Sequence, residues 1–355
     1  MVNLLDFSHG GNVQEVERKT GKKMTDFSAS INPLGLPRSV KKNLLQNWEN
    51  VLHYPDTESR ELKKRIGCYW GVAPDNILLG NGSAELIYLA CFSFKPRRVF
   101  IPVPAFSEYE RASRIVGSKV SFLKLSEENS FSLAGSFPSG GALFLCNPNN
   151  PTGNLVLEGT DTSRFKGLTI IDEAFMDFLP DEKKRTLIYE AVKNEKIIVL
   201  RTFTKFFALP GLRIGYLVAC KKNIDFLKQY QVPWNTNVFA QVAASLVLDD
   251  EEYIQKTRTL IKKEREFLME AITGIKGLKP FPSVTNFILV KIEKEGVTAT
   301  SLRARLIDRG LLVRDCGNFR NLNNRFIRVA VRNRNDNRKL TTALKKVLNE
   351  KPEVL

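Results

Sequence analysis

Short runs of apolar and β-branched residues alternate along this chain with longer stretches in which apolar residues return every three or four positions. The runs are Arg98–Ile101 (RVFI), Ala142–Cys146 (ALFLC), Leu168–Asp172 (LTIID), Lys196–Phe203 (KIIVLRTF) and Arg213–Ala219 (RIGYLVA). Unbroken apolar runs suit strands covered on both faces, and the amphipathic stretches between them suit crossover helices, so the rhythm predicts an α/β fold with a largely parallel sheet. After about Pro233 the pattern changes. A long charged helical stretch, Asp249–Ile272, precedes short strands around Asn286–Val290 and Phe326–Val331, the signature of a smaller α+β domain. The first forty-odd residues signal a helix only over Arg38–Trp48, and the turn-rich segment DFSASINPLGLP reads as an extended arm. The expected division is an N-terminal arm with part of the small domain over 1–45, a large domain over 46–235 and a C-terminal small domain over 236–355.

Composition narrows the function classes. A chain of 355 residues can bury a substantial core, and 43% hydrophobic with 26% charged residues is the balance of a folded globular protein. The net charge of +16 invites a nucleic-acid partner, yet Lys and Arg are dispersed through apparent helices and no nucleic-acid-binding motif accompanies them, so no nucleic-acid role is expected. Five scattered cysteines without a C-x-x-C pair read as reduced thiols, which points to the cytoplasm. No signal-peptide pattern or membrane-length apolar run is present, so no membrane role is expected. His9 and His53 are the only histidines, too few for a histidine-rich metal centre, and no metal is expected.

In open α/β folds ligands bind beyond the carboxyl ends of parallel strands, so the residues that follow each predicted strand belong together. RVFI is followed by PVPAF with Phe106, ALFLC by NPNNPTG with Asn150, LTIID ends on Asp172, and KIIVLRTF runs into Lys205. An aromatic, an amide, a carboxylate and a lysine in one crevice suit a flat, nitrogen-containing ring carrying a phosphate. Lysine can form an imine with an aldehyde, and a carboxylate can keep a pyridine nitrogen protonated. GNGSAEL (Gly80–Leu86), opening an apparent helix, offers a phosphate cradle, to which Thr202, Thr204 and Arg213 add hydroxyls and a charge. GNGSAE is not a dinucleotide fingerprint, because Glu85 stands where the third glycine belongs.

Four of these segments, GNGSAELI, NPNNPTG, IIDEAFMDF and RTFTKFFALPGLRIGY, together resemble the fold-type I, pyridoxal 5′-phosphate (PLP)-dependent aminotransferases of the class-II branch. The resemblance spans nearly the whole chain. It implies a large PLP-binding domain, Lys205 as the lysine that holds the cofactor, Asp172 at the pyridine nitrogen, Asn150 at the ring hydroxyl and Phe106 in the stacking position. Gly82, Ser83, Ala84, Thr202, Thr204 and Arg213 fall at its phosphate-binding positions. It also implies a homodimer with shared active sites, in which Tyr54 reaches the cofactor of the neighbouring subunit. Phe175 departs from the pattern, since relatives often carry a tyrosine there that bonds the ring oxygen.

Within the family two subfamilies compete, the histidinol-phosphate aminotransferases and the threonine-phosphate decarboxylases of cobalamin biosynthesis. HGGN (His9–Asn12), DFSASINPLG (Asp26–Gly35), DEAFMDF and VRDCGNFRNL (Val313–Leu322) look more like the decarboxylases. The expected substrate is a small phosphorylated amino acid. Its expected contacts are His9 beside two glycines, Asn32, Gly35, and the pair Arg328 and Arg332, four apart on a predicted strand and so on one face. The roles of Asn12, Arg314 and Arg320 stay open. PLP-binding folds also occur inside transcriptional regulators, a third reading that calls for an added DNA-binding domain.

Overall fold

The computed structural model describes residues 9–133, 137, 139–159 and 162–350; the first eight residues of the expected arm lie outside them. Thirteen strands appear among these residues: β1 Thr25–Asp26, β2 Ile77–Gly80, β3 Arg98–Val103, β4 Lys119–Lys124, β5 Ala142–Cys146, β6 Thr169–Asp172, β7 Ile197–Thr202, β8 Gly215–Val218, β9 Leu278–Pro280, β10 Phe287–Ile292, β11 Leu311–Leu312, β12 Arg314–Asp315 and β13 Phe326–Ala330. Seven form one sheet in the order β2-β8-β7-β6-β5-β3-β4. From β7 to β4 every pairing is parallel; β8 runs antiparallel to both of its neighbours. Every residue of β2, β5, β6, β7 and β8 is buried, as expected of strands covered on both faces. The half-exposed edge strand β4 has lysine at both ends, the charge with which edge strands discourage further pairing.

Twelve helices accompany the strands: α1 Val13–Thr20, α2 Arg38–Gln46, α3 Arg60–Trp70, α4 Ser83–Phe94, α5 Glu108–Ile115, α6 Glu182–Arg185, α7 Ile188–Ala191, α8 Lys221–Lys228, α9 Val238–Leu248, α10 Glu251–Thr273, α11 Ala299–Ile307 and α12 Arg334–Asn349. The C-terminal part forms an antiparallel sheet, β12-β13-β10-β9, with α11 and α12 packed together beside it. The arm joins this part, because β1 pairs in parallel with β11. α9 packs on α3 and α2, whereas α10, about 35 Å long at helical rise, reaches from the 3-10 turn Met176–Phe178 to β9, β10 and α12. α10 therefore links the C-terminal sheet to the turn that follows β6.

Buried charge ties together the ends of β6 and β7. Arg201, the residue before Thr202, is 1% exposed and donates to Glu173 at 3.0 Å, Asp177 at 2.9 Å and Glu182 at 2.6 Å. Arg258 from α10 also reaches Glu182, at 2.6 Å. Three carboxylates thus face two guanidinium groups, and one oxygen of Asp177 has no partner. Burial pushes Asp177 up to about 6 from an ordinary 3.8 despite the charge of Arg201. The folded state then holds a proton that the unfolded chain has released between about pH 4 and 6, so stability falls as pH rises through that window. Asp177→Asn cannot ionise, and its melting temperature relative to wild type should rise from about pH 4 to about pH 7. A pH series of thermal unfolding checks this; a constant difference would refute it.

Candidate active site

The carboxyl ends of the parallel strands open into a cavity of about 170 Å³. Lys205, three residues beyond β7, lines it. Burial lowers its amine to about 8, and the nearby charges of Arg328 and Arg213 act in the same direction, against Asp172. Asp172, the last residue of β6, accepts from the Ala174 amide at 3.0 Å and from the Tyr109 hydroxyl at 2.6 Å. Its burial raises its pKa above the ordinary value. Asn150 and Phe106 follow β5 and β3 into the same cavity, where Asn150 accepts from the Arg328 guanidinium. Phe175 lines it too, wedged edge-on against Phe287 at 4.9 Å.

At the far end α4 begins. Gly82, its N-cap, sits at φ 81°, and a side-chain carbon there would stand 2.5 Å from the Arg213 guanidinium, so the glycine lets this arginine lie over the helix start. Ser83, Ala84, Thr202, Thr204 and Arg213 converge there. The two threonine hydroxyls lie 2.9 Å apart. Free N–H groups at a helix start, hydroxyls and a guanidinium together match a phosphate.

Other expected contacts fall elsewhere. Asn32 anchors the arm instead of facing the cavity: its backbone N–H donates to the Lys205 carbonyl at 3.1 Å, and its amide bonds Phe206, Tyr253 and Thr257. Gly35 sits in the turn after it at φ 70°, its carbonyl held by the Tyr253 hydroxyl. Arg332 lies beyond the end of β13, so the strand alternation that placed it beside Arg328 no longer applies. Its guanidinium binds Asp336 and the Asp26 carbonyl outside the cavity. Tyr54 is 81% exposed and stacks on Trp234, away from the cavity of its own chain. His9 does line the cavity. The sequence reading passed over Ser28, Tyr109, Cys146 and Phe319 as lining residues and left Arg314 open. Tyr109 lies only three residues after Phe106, at the start of α5, but nothing local connects it with Asp172.

This set asks for a ring with a basic nitrogen at Asp172, an aldehyde within reach of Lys205 and a phosphate at α4. Pyridoxal 5′-phosphate has all three, and the molecule is a PLP-dependent enzyme of fold type I. Residues 22–346 match the family model "Aminotransferase class I and II", and the chain belongs to that family. The threonine-phosphate decarboxylase of Salmonella typhimurium is 36% identical over 97% of this chain and 98% of its own. A histidinol-phosphate aminotransferase of Caldanaerobacter subterraneus is 33% identical over 94% and 95%. The crystal structure of the L-threonine-O-3-phosphate decarboxylase of Porphyromonas gingivalis superposes with a TM-score of 0.82 at 26% identity, covering 91% of this chain and 98% of that one. Among the described residues no helix is long and apolar enough to cross a membrane.

Proposed function

We propose that this enzyme decarboxylates L-threonine O-3-phosphate to (R)-1-aminopropan-2-yl phosphate for cobalamin biosynthesis. The observation that carries the reading is a pair of arginines. Arg314 and Arg328 stand directly opposite each other in the antiparallel register of β12 and β13, 9% and 7% exposed, and both line the cavity that holds Lys205. Like charges facing across strands repel, and burial adds to the cost. Burial pushes Arg328 down to about 10, with the charge of Arg314 acting the same way. A substrate bearing two anions, a carboxylate and a phosphate, converts that repulsion into attraction. Arg314 thus takes the place that the sequence reading gave to Arg332.

Bound PLP supplies the electron sink for the pair left on the substrate's α-carbon when carbon dioxide departs. The protein's share is orientation and proton transfer. Arg328 and Arg314 grip the anions, and the phenyl rings of Phe106 and Phe175 keep water from the reacting bond. Lys205 delivers to the α-carbon the proton that replaces the carboxyl group; with its pKa near 8 it can both hold and release that proton near neutrality. Tyr109 donates to Asp172 and so steadies the carboxylate meant for the ring nitrogen. Tyr54, with exposed Trp48, Leu52, Val232 and Trp234, forms an apolar surface suited to a second copy of the chain, so that Tyr54 of each subunit would serve the other's site.

A histidinol-phosphate aminotransferase is the second reading. It is favoured by the relative of that name and by a neighbouring cavity of about 340 Å³ whose walls include Phe106, Phe122, Phe319 and Leu322, a lining suited to an imidazole ring. The deciding experiment is incubation of the PLP-loaded protein with L-threonine O-3-phosphate and no keto acid. Catalytic release of carbon dioxide is expected. Glutamate formed only from histidinol phosphate plus 2-oxoglutarate would overturn the decarboxylase reading. Arg314→Ala should raise KM for the doubly anionic substrate by about tenfold or more, the worth of one charge-assisted bond. With Arg314 on the phosphate and Arg328 on the carboxylate, it should weaken inhibition by L-threonine, which lacks the phosphate, far less, and equal losses would refute that two-anchor arrangement.

A further inference from the structure

Glu108 opens α5 two residues after the cavity-lining Phe106, yet its side chain is nearly enclosed, at 7% exposure. One of its oxygens lies 2.8 Å from Nε2 of His9, and the other accepts from the Tyr88 hydroxyl on α4 at 2.5 Å. Arg111, one turn along α5, stands 3.8 Å from the first oxygen. Burial alone would raise the Glu108 carboxyl; the bonds from His9 and Tyr88, with the charges of His9 and Arg111, outweigh it and hold the group below the usual carboxylate range. Glu108 is therefore an anion, and an anion only accepts hydrogen bonds, which requires the proton of the His9 ring to sit on Nε2. The ring also packs against Phe106, with centroids 5.2 Å apart and a tilt of 39°. Nδ1 makes no hydrogen bond among the described residues, while His9 lines the cavities that also contain Arg314 and Arg328 on one side and Arg303 and Asp315 on the other.

We propose that Glu108, steadied by Tyr88, is a positioning residue that fixes the proton of His9 on Nε2 and leaves Nδ1 to meet the substrate's phosphate. The inference deepens the phosphate-substrate reading and rests on it for the identity of the group that Nδ1 meets. Free imidazole favours neither arrangement strongly; the carboxylate selects one. With Nε2 committed to Glu108, Nδ1 either accepts the hydroxyl of a singly protonated phosphate or, once protonated itself, donates to the dianion. Either way a single ring nitrogen contacts the phosphate, and Glu108, outside the cavity, decides which nitrogen that is.

The test uses the PLP-loaded enzyme labelled with nitrogen-15 in its histidines. Only two residues give signals, and exposed His53, assigned with His53→Ala, serves as the internal reference. In the wild type above neutral pH, His9 should show a protonated Nε2 and an unprotonated Nδ1. In Glu108→Gln, whose amide can donate as well as accept, both nitrogens should move toward averaged values while His53 stays put. KM for L-threonine O-3-phosphate should rise about tenfold with kcat within about twofold, since a charge-assisted bond to a binding group is lost and not one to the reacting atoms. Tyr88→Phe keeps the carboxylate and should leave the proton on Nε2 with a KM rise of about twofold. An unchanged His9 spectrum in Glu108→Gln overturns the proposal, as does a fall in kcat at constant KM. If the wild type turns over no phosphorylated substrate, the functional reading fails, and the nitrogen spectra still decide where the proton sits.

Discussion

Lys205→Ala is expected to lower turnover by about 10³-fold or more and to abolish covalent retention of the cofactor. The lysine is asked both to bond the aldehyde and to carry the proton to the α-carbon, and proton transfer alone is worth about 10² to 10⁴. Borohydride treatment followed by mass analysis should fix cofactor on the wild type and none on the variant. Turnover within about tenfold of wild type would remove Lys205 from the mechanism. The depressed amine adds a pH signature. A neutral amine is the nucleophile, so capture of the aldehyde by apoenzyme should accelerate as pH rises and level off above about 8, the value to which burial and the two arginines bring the group. An unperturbed lysine would keep accelerating to about 10.

Arg201→Met should cost about 3–5 kcal/mol, because it strands Glu173, Asp177 and Glu182 in the interior with only Arg258 to offset them. For a chain of this length that corresponds to a fall of about 4–7 °C in melting temperature, measurable by calorimetry with PLP saturating. Glu173 follows Asp172 and Arg201 precedes Thr202, so the same ion pair joins the two strand ends that present the proposed cofactor contacts. PLP affinity should therefore fall as well. A variant that melts like wild type would show that the cluster contributes nothing net. The expected losses differ in kind: Lys205→Ala should leave the fold intact, whereas Arg201→Met loosens it.

The parts of the site that were legible in the sequence lie directly after apolar strands. Asp172 ends such a run and Phe106, Asn150 and Lys205 follow one, and the open-sheet rule carries them to one edge without knowledge of strand order. Strands β2 and β4 escaped notice, β2 because it is only four residues long and β4 because an edge strand need not be continuously apolar. The antiparallel course of β8 is equally silent in RIGYLVA, since a strand buried on both faces reads the same in either direction. Arg332 was misplaced because strand alternation was extended past Ala330, where β13 ends and the chain turns toward α12. Asn32 and Gly35 sit in a segment whose turn chemistry is plain from sequence, but whether a turn faces a ligand or fastens an arm depends on what packs beneath it. Here Tyr253 and Thr257 of α10 do so, more than two hundred residues away.

Local order in the chain thus determined the α/β architecture, the placing of Lys205 and its companions at the strand ends, and the helix start suited to phosphate, because periodicity, turn chemistry and short motifs act between near neighbours. Only the tertiary structure decided which charges meet. It set Arg314 opposite Arg328 through the register of two strands, hung Tyr109 on Asp172, buried Arg201 among three carboxylates and brought His9 to Glu108 across 99 positions. Electrostatic contacts of this kind depend on distance and burial, and neither is written in the spacing of residues along the chain.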